Sequence, residues 1–295
     1  MTWDSCSRER GWALIAVLWS MTMLAVMAAA TEQLVIIGHR AERRAWDRLQ
    51  TSAVLDGALT EAVAGIENPS AAKRWRVDGS SRRLDLQGFL VTASVQDEAG
   101  RFDLNVIDGH TLRRLLQNAG LSSDESEVLS DSILNWRAPV GLHALKGATD
   151  DDYRTVGLAY HPRHGDFQSV DELQLVLGMT KPVFQSIRPA LTVYTKRMLI
   201  DPAVAPREAL LALYDGNAAQ ADALMAQRSR TASDQEGIAP DGPPAVVVPV
   251  AHDWQGGVYD IDLETFLSGR LYREDVIVLL TGDNQKPYLI LGWRV

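Results

Sequence analysis

The chain has a single cysteine, Cys6, and it lies ahead of the first apolar run. No intramolecular disulfide can form, so packing or bound cations must hold whatever fold the chain adopts. A lipid on Cys6 would need an apolar stretch before it, and none is there. Basic excess is missing too: the formal net charge is −9 over 295 residues. A surface of that sign repels phosphate backbones, which argues against a polynucleotide ligand. The sequence contains no G-x-S-x-G, no phosphate-binding G-x-x-x-x-G-K-[ST] loop and no H-E-x-x-H, so no enzymatic activity is expected. Proline is absent from Trp12 to Ile66, which removes the strongest helix breaker from that stretch.

What fills the proline-free stretch is first apolar and then amphipathic. Trp12 to Ala30 carries no charge, and its only polar side chains are Ser20 and Thr22. As a helix it would be roughly 28 Å long, close to the hydrocarbon thickness of a bilayer. Ala28 to Ala30 could imitate a signal-peptide cleavage site. Beyond them, however, an apolar stripe continues at helical spacing through Leu34, Ile37, Ala41, Ala45, Leu49, Ala53, Leu59, Val63 and Ile66. Gly38 and Gly57 weaken it without ending it. One long helix is predicted, its first half in lipid and its second against a globular body. Arg8 and Arg10 precede the span while Arg40, Arg43 and Arg44 follow it, so charge bias gives no orientation.

After Pro69 the pattern changes to short β-rich segments. These are Arg74–Val77, Leu84–Leu86, Phe89–Val95 and Arg101–Val106, with turn chemistry at Asp78–Ser81 and Glu98–Gly100. Strand-like segments return at Ala245–Val250, Val258–Leu263, Val276–Leu280 and Tyr288–Trp293. An early and a late strand set around a helical middle predicts one antiparallel sheet interrupted by an insertion. The middle holds three degenerate helix–glycine–helix units, turning at Gly120, Gly178 and Gly216. Ser122 with Glu125, and Ser169 with Glu172, have the spacing of capping boxes. Ser229–Pro244 reads as a flexible linker. Helix–hairpin–helix units of this kind bind DNA in many proteins, but Asp124, Glu125, Glu127 and Asp131 crowd the first one.

The connection from Trp136 to Phe167 is long, and long connections are usually functional or tethered. It contains Asp150-Asp151-Asp152, hard oxygen donors that suit calcium or else form a solvated acidic turn. It also contains His161-Pro162-Arg163-His164. With no third ligand nearby in sequence, these two read as surface histidines rather than a zinc site.

Several motifs together resemble a known family. Arg8-Glu9-Arg10-Gly11 before Trp12-Ala13-Leu14-Ile15 resembles the leader of type IV prepilin-like proteins. Asp97-Glu98-Ala99-Gly100-Arg101-Phe102-Asp103-Leu104-Asn105, Ser132-Ile133-Leu134-Asn135-Trp136-Arg137, Phe167 to Leu173 with Leu177-Gly178-Met179, and Gly292-Trp293-Arg294 resemble, in order, segments of the K-class minor pseudopilins of type II secretion systems. The resemblance implies peptidase cleavage after Gly11 and N-methylation of the new terminus, Trp12. In most such proteins the fifth mature residue is glutamate; here it is Ala16, an absence characteristic of the K class. Calcium binding in the helical domain is implied as well, with Asp150, Asp151, Asp152 and Asn135 as candidates, although Arg137-Ala138-Pro139 stands where relatives often carry more aspartates.

The fold so implied is α+β and pilin-like: a long N-terminal transmembrane helix packed on an antiparallel sheet, with a large α-helical (helix–hairpin–helix or SAM-like) insertion. Its domain plan is a leader at 1–11, a transmembrane part at 12–30 and a periplasmic helix at 31–66. The sheet then takes 70–107 and 245–295, the insertion 108–230 and a linker 231–244. The implied role is a tip subunit that initiates or caps the pseudopilus. It would sit in the bacterial inner membrane by a single pass, with its soluble domain in the periplasm. Implied partners are the I- and J-class minor pseudopilins, the major pseudopilin, the prepilin peptidase and the inner-membrane assembly platform, with no nucleic acid. The alternative is a signal-anchored periplasmic binding protein that uses its helix–hairpin–helix modules.

Overall fold

The structure is a computed structural model that describes residues 8–142, 144–237, 257–283 and 285–294, with the backbone alone at 8–11, 28–43, 231–237 and 294. The predicted strand at Ala245–Val250 lies outside the described residues. Two compact units are present: Met1–Val54 with Leu267–Arg270, and Leu55–Phe266 with Leu271–Val295.

The first unit is dominated by helix α1, Arg8–Ile66, which continues without a break into the second. From Trp12 to Met27 every described side chain is exposed, Trp12 at 79% and Trp19 at 72%. The two polar side chains of this stretch return their hydroxyls to the helix: Ser20 Oγ donates to Val17 O at 2.9 Å and Thr22 Oγ1 to Trp19 O at 2.8 Å. Among the described residues no helix is long and apolar enough to cross a membrane. The predicted span 12–30 has its last three side chains outside that set.

In the second unit the buried face of α1 is Leu55, Ala58, Leu59, Ala62, Val63 and Ile66. This differs from the predicted stripe, since Leu49 and Ala53 are exposed. Steps of four residues turn about 40° past a full revolution each, so a row spaced only by fours winds off one face. The alternation of three and one from Leu55 onward stays on it. The body of the unit is a five-stranded sheet in the order β1-β2-β5-β6-β7. Its strands are β1 Asp78–Leu86, β2 Phe89–Asp97, β5 Val258–Leu267, β6 Arg270–Asp283 and β7 Lys286–Arg294. Strands β1 and β2 pair antiparallel, as do β2 and β5, and β6 and β7. The predicted turn at Asp78–Ser81 is part of β1, which carries a register shift between Asp78 and Ser81.

Alternation along β2 buries Val91, Ala93 and Val95, whose register partners on β5 are Thr265, Leu263 and Ile261, all buried. Matching rows across an antiparallel pair make one apolar face. A Cβ at Gly57 of α1 would lie at ordinary contact distance, 3.9 Å, from Leu86 Cδ1 at the end of β1. Farther along the helix the Trp75 amide donates to Gly65 O at 2.9 Å. A Cβ at Gly65 would lie 2.3 Å from the Trp75 indole, so only glycine lets the ring lie against the helix backbone. The Arg82 guanidinium sits 5.3 Å from the same ring.

Between β2 and β5 runs the helical insertion. A 3-10 turn at Glu98–Gly100 leads into β3, Phe102–Asp103. Arg101–Val106, predicted as a strand of the main sheet, instead contributes only these two residues, and they pair in parallel with β4, Leu191–Thr192. Helices α2 (Gly109–Asn118), α3 (Ser123–Arg137) and α4 (Asp150–Thr155) follow, then a 3-10 helix at Val170–Leu175, then α5 (Lys181–Ile187), α6 (Arg207–Leu213) and α7 (Ala218–Gly237). Gly120, Gly178 and Gly216 all have left-handed φ, from 77° to 98°, the conformation the three hairpins require. Leu104, Leu112, Leu116, Ile133, Leu173 and Leu210 fill their common core. Helix α7 carries nine residues into the predicted linker, Ser229 to Gly237, because no proline or glycine interrupts that stretch before Gly237.

Candidate functional site

Three of the motifs that are scattered in sequence, those around Asn105, Trp136 and Phe167, meet at the C-terminal end of α3. That helix starts on Ser122, where the Glu125 amide donates to Ser122 Oγ and the Ser122 amide to Glu125 Oε2, as the spacing predicts. It ends by delivering Trp136 into an aromatic cluster. The indole stacks on Phe167 at 6.2 Å with an 18° interplanar angle and meets Tyr153 at 6.1 Å and Tyr160 at 6.5 Å. Asn105 joins two motifs directly: its Nδ2 donates to Phe167 O at 3.0 Å, and the Phe167 amide donates back to Oδ1 at 2.7 Å. Arg137 donates to the carbonyls of Leu104 and Ile107, the latter at 2.7 Å. Tyr153 is fully buried, and its oxygen accepts the Leu177 amide at 2.8 Å. Burial pushes its pKa up to about 12, against the lowering effect of that amide.

The connection that follows α3 folds back on the helix. A Cβ at Gly147 would come within 2.4 Å of the Asp131 backbone, so the loop main chain lies directly against α3. Asn135 is buried and holds the loop from inside, its Nδ2 donating to Ala148 O at 3.2 Å and its Oδ1 accepting the Ala144 amide at 2.7 Å. The three aspartates form the first turn of α4 and diverge. Asp152 Oδ2 accepts the Thr149 amide at 2.7 Å and the Thr149 hydroxyl at 2.8 Å, hydrogen bonds that lower its pKa. Asp151 pairs with Arg154 at 2.5 Å. Asp150 turns toward His164, at 2.9 Å from Nε2.

The four residues proposed for calcium are therefore not gathered around one point. The structure instead brings Asp150, fourteen residues away in sequence, to His164. One ligand atom from each of Asp150, His161 and His164 lies within 4.8 Å of the others. The two histidine rings stack 6.0 Å apart. His161 is exposed, as the reading of surface histidines has it, and His164 is half-buried; folding brings Asp150 to them as a third group that sequence spacing does not show.

Elsewhere the second predicted box is rearranged. Ser169 caps nothing through its side chain. Glu172 accepts the Gln168 amide at 3.0 Å and pairs with Arg163 at 2.8 Å. Gly11 and Trp12 lie inside α1, and residues 1–7 of the leader lie outside the described residues.

Comparison with known proteins gives a family match and a likeness of fold. Residues 88–196 match the family model of the type II secretion system (T2SS) protein K. That segment runs from the β1–β2 turn through α5 to just past β4, and contains the aromatic cluster. Among solved structures, a chain of the GspK–GspI–GspJ complex of the type 2 secretion system from enterotoxigenic Escherichia coli superposes with a TM-score of 0.59. The match covers 87% of this chain and 98% of that one at 14% identity, a likeness of fold. No curated protein matches the sequence. The K-class resemblance read from the sequence is thereby borne out.

Proposed function

We propose that this chain, which carries the protein K domain of type II secretion, is a minor pseudopilin that takes part in protein export across the outer membrane. The observation that carries the reading is the family match at 88–196, because the motifs inside it are the ones that converge on Trp136. The fold adds support through a likeness to a chain of a GspK–GspI–GspJ complex. On that basis the I- and J-class minor pseudopilins are the partners we propose, and the tip of the pseudopilus, where it would initiate or cap the filament, is the place.

The N-terminal helix fits the same role. Its side chains from Trp12 to Met27 need an apolar surrounding to cover them, and Ser20 and Thr22 already satisfy their own hydroxyls. An inner-membrane bilayer, and later the equivalent helices of neighbouring pseudopilins, would supply that cover. Ala16 spares the helix a carboxylate in lipid. We propose cleavage after Gly11 and methylation of Trp12 by the prepilin peptidase. We also propose association with the major pseudopilin and the inner-membrane platform.

The test is the N-terminal sequence and mass of the protein recovered from membranes, with and without the prepilin peptidase. A methylated Trp12 terminus that depends on the peptidase is expected. An intact terminus, or one after Ala30, would overturn the reading in favour of an anchored or secreted binding protein.

A further inference from the structure

We infer that Asp150, His161 and His164 form a zinc site that clasps the connection between α3 and the 3-10 helix at Val170–Leu175. His164 Nδ1 faces Ala138 O at 3.1 Å, and His161 Nδ1 faces Pro162 O at 2.8 Å. A carbonyl oxygen only accepts, so in each of these contacts Nδ1 is the donor. In His164 this leaves Nε2 facing Asp150 Oδ1 at 2.9 Å. Metal-bound histidines are held in the same way, by a hydrogen bond from the other ring nitrogen to a carbonyl or carboxylate.

With Nδ1 protonated, His164 Nε2 and Asp150 Oδ1 are two acceptors facing each other at 2.9 Å. Such a contact is stable only with a positive charge between them, either a second proton on the ring or a cation. The His161 ring, stacked on His164, supplies the further donor that distinguishes a cation site from a simple ion pair.

The backbone pins this geometry. His164 has a left-handed φ of 55°, uncommon for a side-chain-bearing residue though better tolerated by histidine and asparagine than by most. Its amide donates to Trp136 O at 2.9 Å. The ring is thus anchored to the end of α3 at both Trp136 and Ala138, while Asp150 is anchored in the first turn of α4.

Two imidazoles and one carboxylate make a mixed nitrogen–oxygen set with a fourth position open to water. That set suits zinc, whereas calcium takes six to eight oxygens. The ligands come from both ends of the loop, so an ion there would tie residues 150 and 161–164 together beside the aromatic cluster.

The full chain, purified in detergent and freed of metal with a chelator, is titrated with zinc against a chromophoric competitor, and separately with cobalt(II). One equivalent of each is expected, with the visible d–d absorption of a tetrahedral cobalt centre. His161→Ala and His164→Asn are each expected to weaken zinc binding by at least about 10–100-fold, the loss that even outer-shell changes produce. Asparagine keeps the left-handed backbone at 164 accessible, and His161→Ala removes an exposed ring. Circular dichroism of the metal-free variants identifies any that fail to fold, and the other then decides the matter. Excess calcium is expected to leave zinc bound. The inference is overturned if the wild-type chain binds no zinc at micromolar concentration, if folded variants bind it unchanged, or if calcium displaces it.

Discussion

The ring of Tyr153 packs with Trp136 and Tyr160 while its oxygen accepts the Leu177 amide, and burial raises its pKa to about 12 against about 10 in an unfolded chain. Between those values the unfolded chain loses the proton while the folded one keeps it, so folding stability falls as pH rises through that window. The loss is expected to be on the order of 2 kcal/mol, read from urea unfolding at a series of alkaline pH values. Tyr153→Phe should flatten that part of the profile. It should also lower stability at neutral pH by about 1 kcal/mol, since the Leu177 amide loses its acceptor. At this scale the sequence is an uneven guide. Asn135 was legible as an important residue, yet its role is to hold two backbone groups of the loop. Asp150 was legible as one of three equal carboxylates, and only the fold separates it from its neighbours by turning it to His164.

Local rules work best for whole elements. The Ser122–Glu125 box forms as its spacing predicts, and Ser122→Ala is expected to cost about 1 kcal/mol, measured as a shift in the thermal midpoint. The same spacing at Ser169–Glu172 yields no box, because Arg163 and the Gln168 amide compete for the Glu172 carboxylate. Neither competitor could be identified from that motif alone. The three glycine hairpins were readable because a left-handed residue after a helix has few alternatives to glycine. The two-residue strands β3 and β4 were not. Their pairing joins Phe102 to Leu191, and nothing in either segment's own pattern points to the other. Helix α1 shows both outcomes, its continuity being legible and its buried face shifting once four-residue steps gave way to alternating ones.

Within the second unit, sheet and insertion are joined by a buried ionic clasp. Arg101, at the mouth of the insertion, lies 2.5 Å from Glu98 and 2.6 Å from Asp260 on β5. Burial alone would lower its pKa, but the charges of Glu98, Asp260 and Asp275 more than reverse that. Arg101→Met would leave carboxylates in a site with little water. It is expected to destabilise the protein by about 3–5 kcal/mol in urea unfolding, with partial recovery when Glu98→Gln and Asp260→Asn are added. The backbone amplifies this join. A Cβ at Gly100 would meet the Val204 carbonyl at 2.7 Å, and Gln96 Nε2 donates to the same carbonyl at 2.7 Å. This clasp was foreshadowed only as part of a family motif, since Asp260 lies 159 residues beyond Arg101.

The pairing of β2 with β5 has a consequence in time. Thr265 donates to Leu90 O, which lies 175 positions earlier in the chain, so the central strands meet only after most of the chain has been made. The hairpin of β1 and β2 and the helices of the insertion depend on nearer contacts and can form while synthesis continues, whereas closing so long a loop is slow. Until β5 arrives, β2 presents an open edge beside Val91, Ala93 and Val95, a template for pairing with a foreign strand. For a chain that would emerge into a crowded compartment, the vulnerable interval is the wait for its last quarter.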